Sequence, residues 1–459
     1  MSGLWDSIAP AGAANGAAFH GRGATVELAA LAAGSIFGAA LESLRGRSVL
    51  LATREQLPTA LALVELDGVA QRMVLCTPDL TPEQLAGVAA AAEADAVVLD
   101  AGSDIAAPAS LAVHAVTPRP VHDAPSRGGD AATEWVLLTS GTTGQPKLVA
   151  HTLDSLGGAL PTRLPSGART IWSTFYDIRR YGGLQIYLRA VLSGAPLVLS
   201  SSDEPLHAFL ERAAAAGVTH ISGTPSHWRR VLMSGEAQVL KPRYVRLSGE
   251  VADQTVLDKL RSVYPEARIG HAFASTEAGV AFDVNDGQAG FPESFVGNTG
   301  ADIELQVVEH TLRIRSRRSA ARYLGKAPGA LASDDGYVDT GDLVELVDGR
   351  YYFRGRTGGI INVGGLKVYP EEVESVLNAD PRVRMSQVRA RRNPITGAIV
   401  VADVVLADPL PSAASEAADL IKSDLLNACR RALAAHKVPA ILRFVRSLEF
   451  TAAGKLVRP

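Results

Sequence analysis

The chain has 459 residues, 47% of them hydrophobic and 20% charged, with a formal net charge of -3. That length exceeds one ordinary core and predicts two or more domains. The slightly acidic balance argues against a nucleic-acid partner, which needs a basic face or tract.

In chain order, the N-terminal stretch lacks the basic start and apolar core of a signal peptide. No later stretch is apolar for long enough to span a bilayer, so no membrane partner is expected. SVLLAT (48–53), RMVLCT (72–77) and DAVVLD (95–100) read as buried strands. Between them, REQLPTALALVEL and TPEQLAGVAAAAEA have helical apolar spacing, the second opened by a Thr-Pro start signal. Strand–helix alternation implies an α/β fold with a parallel sheet covered on both faces. It resumes in TIWSTF (170–175), APLVLS (195–200), VTHISG (218–223) and YVRLSG (244–249). From about residue 290 short strands and turns take over, which predicts a small β-rich lobe over about 290–355. Beyond Arg356, EEVESVLNA, IVVADVVLA and AADLIKSDLLNACRRALAA give a compact α/β pattern of helix, strand and helix. The reading is therefore a large N-terminal domain of parallel and mixed sheets, residues 1–355, and a small, mobile α/β domain, 356–459. The boundary falls at 355–358, where Gly358 and Gly359 permit a hinge. Two distant cysteines, Cys76 and Cys429, and ten scattered histidines form no metal or redox spacing, which fits a reduced, cytoplasmic protein.

TSGTTGQPK (139–147) combines Thr139, Ser140, Gly141, Thr142, Thr143, Gly144 and Lys147. A Walker A loop requires G-x-x-x-x-G-K-[ST], and here the glycines are three apart, Pro146 precedes the lysine and Leu148 follows it. The parts still suit a polyphosphate: glycines let the backbone approach an anion, hydroxyls donate, and the lysine supplies charge. The plain alternative is a strand-to-helix turn without a ligand.

TSGTTGQPK resembles the phosphate loop of the adenylate-forming superfamily, which includes acyl-CoA synthetases, peptide-synthetase adenylation domains and beetle luciferases. STEAG (275–279), DGYVDTGDLVEL (335–346), FRGRTGGIINVGGLKVYPEEVE (353–374) and TAAGKLVRP (451–459) resemble the superfamily's later motifs, in order. The resemblance covers the chain from about residue 130 onward.

It implies an ATP-dependent acid–CoA ligase of the AMP-forming type. A carboxylate attacks the α-phosphate to give an acyl adenylate and pyrophosphate; a thiol then displaces AMP. By resemblance, Lys455 bridges the carboxylate and α-phosphate, Thr276 contacts phosphate, and Glu277 binds the Mg2+ that accompanies ATP. Capping of a helix is the plain alternative for Thr276 and Glu277. Asp342 would accept from the ribose hydroxyls, with Arg356 as a second ribose contact; its plain alternative is a turn residue. Phe273 aligns with an adenine-stacking tyrosine, followed here by Ala274 and Ser275 in place of the usual glycine and its neighbour. Ser248, Gly249, Glu250 and Val251 would line the other adenine wall. Gly364 and Gly365 would let a pantetheine pass after hinge rotation, and Gly358 stands where many relatives carry aspartate or lysine.

The implied acid pocket draws on Tyr176, Arg179, Arg180, Tyr181, Gly223, Trp228 and Phe273. Arg180 either meets a polar substituent of the substrate or forms a surface salt bridge. The aromatic surroundings favour an aryl or other compact acid over a long fatty chain. The expected partners are a small carboxylic acid, ATP and coenzyme A, on a stand-alone monomer or homodimer. The alternative acceptor is a separate carrier protein, with amide formation third. A non-catalytic nucleotide-binding regulator is the rival from another class.

Overall fold

The computed structural model describes residues 3–8, 17–121, 132–139, 145–158, 160–161, 170–297, 302–325, 330–394, 396–408, 416–451 and 455–457. Its first large sheet centres on Ser48–Leu51, flanked by parallel Arg72–Leu75 and Ala96–Asp100. These strands are apolar throughout because helices such as Gln56–Leu66 and Pro82–Ala91 cover the sheet. One side of this sheet extends through β1 (Glu134–Thr139) and antiparallel β2 (Lys147–His151). The expected strand-to-helix turn is therefore a hairpin, closed by the pair Thr139 and Lys147.

A second, eight-stranded sheet packs through the same core as the first. Helix α1 (Tyr181–Ser193) covers part of it, and ends on Gly194 in the left-handed conformation, φ 66°. Strand β3 (His220–Gly223) runs into helix α2 (Pro225–Met233), whose first turn carries a capping box between Thr224 and His227. Strand β4 (Tyr244–Ser248) lies parallel to β3 and to β5 (Arg268–Ser275). Antiparallel β6 (Gly279–Val284) closes that edge, with Ser275 paired to Gly279 across the turn.

Strand β7 (Arg322–Leu324) leaves the lobe region and pairs with β2 in the first sheet. The lobe is a five-stranded antiparallel sheet, in which β8 (Val338–Val347) pairs with β9 (Arg350–Arg356). A separate apolar cluster from Ile361 to Leu442 joins the later helices and strands. Predicted and observed elements differ by a few residues at their ends, where hydrogen-bond pairing stops before the apolar run does.

Candidate active site

The expected site residues fall into two groups. The first gathers around the β1–β2 hairpin. Ser140, Gly141, Thr142, Thr143 and Gly144 lie outside the described residues. At the base of the loop, the Thr139 hydroxyl is buried with no hydrogen-bond partner among the described residues. The Lys147 ammonium stands 5.7 Å from the centroid of the Tyr323 ring. Tyr323 sits on β7, which pairs with β2 two residues beyond Lys147, and the Glu277 carboxylate is near enough to act on its phenol. Burial first, and then the Glu277 charge, raise the phenol above its ordinary pKa.

The turn that carries Glu277 is tied to the same hairpin. His151 Nε2 donates to the Thr276 carbonyl at 2.7 Å, and burial holds this imidazole neutral with a pKa lowered to about 4. No helix follows Thr276 and Glu277, so the capping alternative fails: they occupy the β5–β6 turn, where Ser275 Oγ accepts from Ala278 N at 2.9 Å. Gly279 has φ 79°, and a Cβ there would stand 2.6 Å from the Arg318 carbonyl. Only glycine fits that approach.

The second group surrounds Lys455. Gly249, φ 81°, follows β4, and a Cβ on it would lie 3.3 Å from Lys455 Cε and 3.6 Å from Nζ. The Tyr176 hydroxyl donates to the Ser248 carbonyl at 2.6 Å. Glu250, expected in the adenine wall, uses its carboxylate otherwise. One oxygen accepts from Ser226 N at the start of α2, at 2.9 Å; the other accepts from Leu456 N of the tail, at 3.3 Å. Within the tail, Thr451 N donates to Lys455 O at 2.7 Å. Lys455 remains open to solvent at the residue level, yet protein surrounds its ammonium. Desolvation lowers its pKa; Glu250 and Asp342 oppose that shift, while Arg356 and Arg180 add to it.

Asp342 and Arg356 face each other on β8 and β9, with Arg356 Nε 3.3 Å from Asp342 Oδ1. Arg356 also donates to the Thr340 carbonyl at 2.6 Å. Asp342 belongs to a strand, although Gly341 before it has the positive φ, 67°, of a turn residue. Burial raises the Asp342 carboxyl above its ordinary pKa, and Arg356 works against that.

Several pocket expectations change. Trp228 is fully buried in the core, edge-on to Phe175 and Tyr264, because it lies on the inner face of α2. His227, one residue earlier, stands beside Tyr176. Its Nδ1 accepts from Thr224 N at 3.1 Å, and burial, then Arg230, lower its pKa to about 3. Arg179 is buried against Asp177 and the carbonyls of Thr53 and Arg54, so it is a structural tie. Arg180 forms an ion pair with Asp79 at 2.9 Å and also acts on Lys455. The Phe273 ring is stacked on Phe353, 5.1 Å between centroids, and on Phe282, at 5.8 Å. Tyr181 is buried on α1, and a Cβ on Gly223 would press on Phe175 at 2.8 Å. Gly364 and Gly365, φ 59° and 86°, form the two-residue turn of the hairpin Ile361–Val363/Leu366–Val368. Gly358 lies in a short helical turn where an added Cβ meets nothing within 4 Å.

Sequence reasoning missed Tyr323, His151 and His227. His151 ends the strand that follows the phosphate loop, and its position alone was a usable signal. Tyr323 had none, since only the pairing of β7 with β2 brings it there.

A family model described as AMP-binding enzyme matches residues 49–318, more than half of the chain, and the AMP-binding enzyme C-terminal domain matches 372–455. The chain belongs to the AMP-binding enzyme family. A 2-succinylbenzoate–CoA ligase of Salmonella typhimurium is 31% identical over 262 residues, 55% of this chain and 54% of that protein. The matched region spans between 54% and 67% of the first three curated relatives. Among solved structures, an anthranilate–CoA ligase with anthranoyl-AMP superposes with a TM-score of 0.79 at 18% identity, covering 99% of this chain and 95% of that one. An amide bond synthetase of Marinactinospora thermotolerans gives 0.74 at 18% identity, with 99% and 98% covered. These two likenesses carry the fold.

Proposed function

We propose that the protein is an ATP-dependent acid–CoA ligase. The observation that carries this reading is the convergence on Lys455 of Gly249, Glu250, Asp342 and Arg356, from β4, β8, β9 and the tail. A carboxylate oxygen attacks the α-phosphorus, an O–P bond forms, and the bond to pyrophosphate breaks. Two anions must meet, so a fixed cation between them is the main device. Lys455 supplies it, the Asp342–Arg356 pair holds the ribose, and Thr139 and Lys147 hold the departing phosphates. The free Thr139 hydroxyl supports that last assignment.

No cluster of three metal-ligating side chains exists among the described residues. That fits Mg2+ travelling with a nucleotide, which keeps its waters and needs one or two protein carboxylates. Glu277, which acts on Tyr323, is the residue that would hold it, and the ion would screen the phosphate charge.

In the second step the thiol sulfur of coenzyme A attacks the acyl carbon, the C–O bond to AMP breaks, and the thiol proton passes to solvent or base. We place the hinge at 355–358 between domains 1–355 and 356–459, with Gly364–Gly365 on the thiol route. Among the described residues no helix is long and apolar enough to cross a membrane; we infer a cytoplasmic enzyme acting on a compact, aryl-type acid.

The test is carboxylate-dependent exchange of pyrophosphate into ATP, followed by thioester formation with coenzyme A or with a phosphopantetheinylated carrier protein. Absence of exchange across aryl, short-chain and long-chain acids would sink the ligase reading. Exchange with thioester only on the carrier would move the acceptor.

A further inference from the structure

Three neighbouring parallel strands end side by side next to Lys455. Phe175, Thr224 and Gly249 follow directly on the last residues of Trp172–Thr174, β3 and β4. Ligands of open parallel sheets bind beyond such carboxyl ends. Lys455 stands at the third end, against Gly249, and His227, on the first turn of α2, stands at the other two. Its ring is stacked on Phe175 at 5.5 Å and edge-on to Tyr176 at 5.8 Å. Thr224 links the two residues. A Cβ on Gly249 would lie 3.3 Å from Lys455 Cε and 3.9 Å from the Thr224 methyl, while the Thr224 hydroxyl stands 3.0 Å from His227 Nδ1.

The second nitrogen of the imidazole is a donor of fixed identity. Nδ1 accepts from Thr224 N at 3.1 Å, so the proton of the neutral ring is on Nε2. Burial, and then Arg230, keep the ring neutral. Among the described residues Nε2 has no hydrogen-bond partner. Phe175 and His227 are the residues that solvent reaches in Ile171–Tyr176 and Ile221–Trp228; their neighbours there are buried. The opening therefore lies at this stacked pair. An enclosed N–H normally has an acceptor, and here only the opening can bring one.

His227 also stays where Lys455 does not. Its hydrogen bonds are made to Thr224, within the large domain, whereas the tail that carries Lys455 is held at Glu250 by one 3.3 Å bond. The other Glu250 oxygen, on Ser226 N, keeps its place on α2 when the tail withdraws.

We propose that His227 Nε2–H donates to the acyl carbonyl oxygen of the adenylate while the thiol attacks. As the S–C bond forms, the carbonyl π pair moves onto oxygen. It returns as the C–O bond to AMP breaks; AMP takes that bonding pair, and the thiol proton passes to solvent. The imidazole stabilises the transient oxyanion and moves no proton. A neutral imidazole can polarise a carbonyl in this way, whereas a cation at that point would also grip the unreacted carboxylate and the departing AMP. The proposal rests on the ligase reading and adds a residue to its second step.

The experiment reads both half-reactions with whichever of benzoate, acetate and octanoate exchanges fastest. Pyrophosphate exchange reports adenylation. The corresponding acyl adenylate, supplied with coenzyme A or the phosphopantetheinylated carrier protein, reports thioester formation. His227→Phe keeps a ring on Phe175 without a donor. It should lower thioester formation about 10²–10³-fold, as loss of one oxyanion donor does, with exchange changed a few-fold at most. That is the reverse of the split expected for Lys455→Ala. His227→Gln is the second variant, because a Thr-x-x-Gln sequence keeps the capping box and the amide still donates. It should melt as the unaltered protein does and keep its exchange rate, while thioester formation falls roughly tenfold through a displaced hydrogen bond. Equal losses in both half-reactions, a loss confined to exchange, or no loss in either variant overturns the inference and leaves the ligase reading intact. Exchange without thioester on either acceptor in the unaltered protein overturns it too, because no thiol then attacks. Absence of exchange with all three acids removes the ligase reading, and with it the step this donor serves.

Discussion

The two ends of the site are built differently. The phosphate end is tied together inside the N-terminal domain: His151 holds the Thr276 carbonyl, and strand pairing fixes Lys147 and brings Tyr323 beside it. The lysine end is assembled by docking. Lys455 arrives on a tail held at Glu250 by one 3.3 Å hydrogen bond, with Arg230 stacked 5.8 Å from Phe450 and Arg384 bonded to Met233 at 3.2 Å. All three contacts reach α2 or the residue capping it, so one helix receives the tail. The contrast teaches which part can leave: under the proposed two-step reaction the phosphate grip is needed throughout adenylation, whereas Lys455 would withdraw to admit a thiol. Lys455→Ala is the largest test of this asymmetry. It should reduce pyrophosphate exchange about 10²–10³-fold, as loss of one preorganised group facing developing charge does. Thioester formation from supplied acyl adenylate should change only a few-fold; equal losses in both steps would erase the distinction between the two ends.

At the fixed end, Tyr323→Phe removes the hydroxyl nearest the Glu277 carboxylate and leaves the ring beneath Lys147. A hydroxyl that donates to that carboxylate in the loaded site would contribute about 1.5–3 kcal/mol, so adenylation should fall roughly tenfold or more. The Mg2+ concentration for half-maximal rate should rise, because Glu277 loses its orientation. A normal Mg2+ response with reduced rate would assign Tyr323 to packing alone.

Much of this was legible in the sequence, and the reason is chemical. Thr139, Lys147, Asp342, Arg356 and Lys455 lie in motifs whose residue types announce phosphate and ribose chemistry; Thr139, Lys147 and Arg356 stand at strand ends, Asp342 within β8 opposite Arg356. Alternating apolar strands and amphipathic helices likewise announced the layers. What stayed hidden depends on long-range pairing and on which face of an element a residue takes. Nothing local puts Tyr323 opposite Glu277. Trp228 and His227 could have exchanged roles until the capping box at Thr224 fixed the phase of α2.

Glu250 offers a finer cut, because it touches both the docking contact and the charge on Lys455. The protonated lysine is the active form. Its pKa is lowered by desolvation, so adenylation kcat/KM should fall on an alkaline limb below the ordinary lysine value of about 10.4. Glu250 opposes that lowering; Glu250→Gln removes the opposing charge and retains one acceptor oxygen, enough for the Leu456 or the Ser226 amide but not both. The limb should therefore move to lower pH, with the rate near neutrality reduced severalfold at most. A limb that stays in place would mean that Glu250 acts on the tail by hydrogen bonding only. Tyr323→Phe, at the other end, should leave the limb unmoved.

The smallest expected effect tests the joint between the two ends. Gly355 has φ 126°, and a Cβ there would stand 2.5 Å from Glu371, so it requires glycine. Gly358 has neither a positive φ nor a neighbour within 4 Å of an added Cβ. Gly358→Ala should therefore stabilise the protein by about 0.4–1 kcal/mol, through the lower entropy of its unfolded chain. Both half-reactions should stay within about twofold of the original rates. If thioester formation alone slows while the melting temperature rises, the docked state tolerates alanine and the rotated state does not. The freedom that lets Lys455 withdraw would then reside at 358, and the difference between the fixed and docked ends would trace to one backbone position.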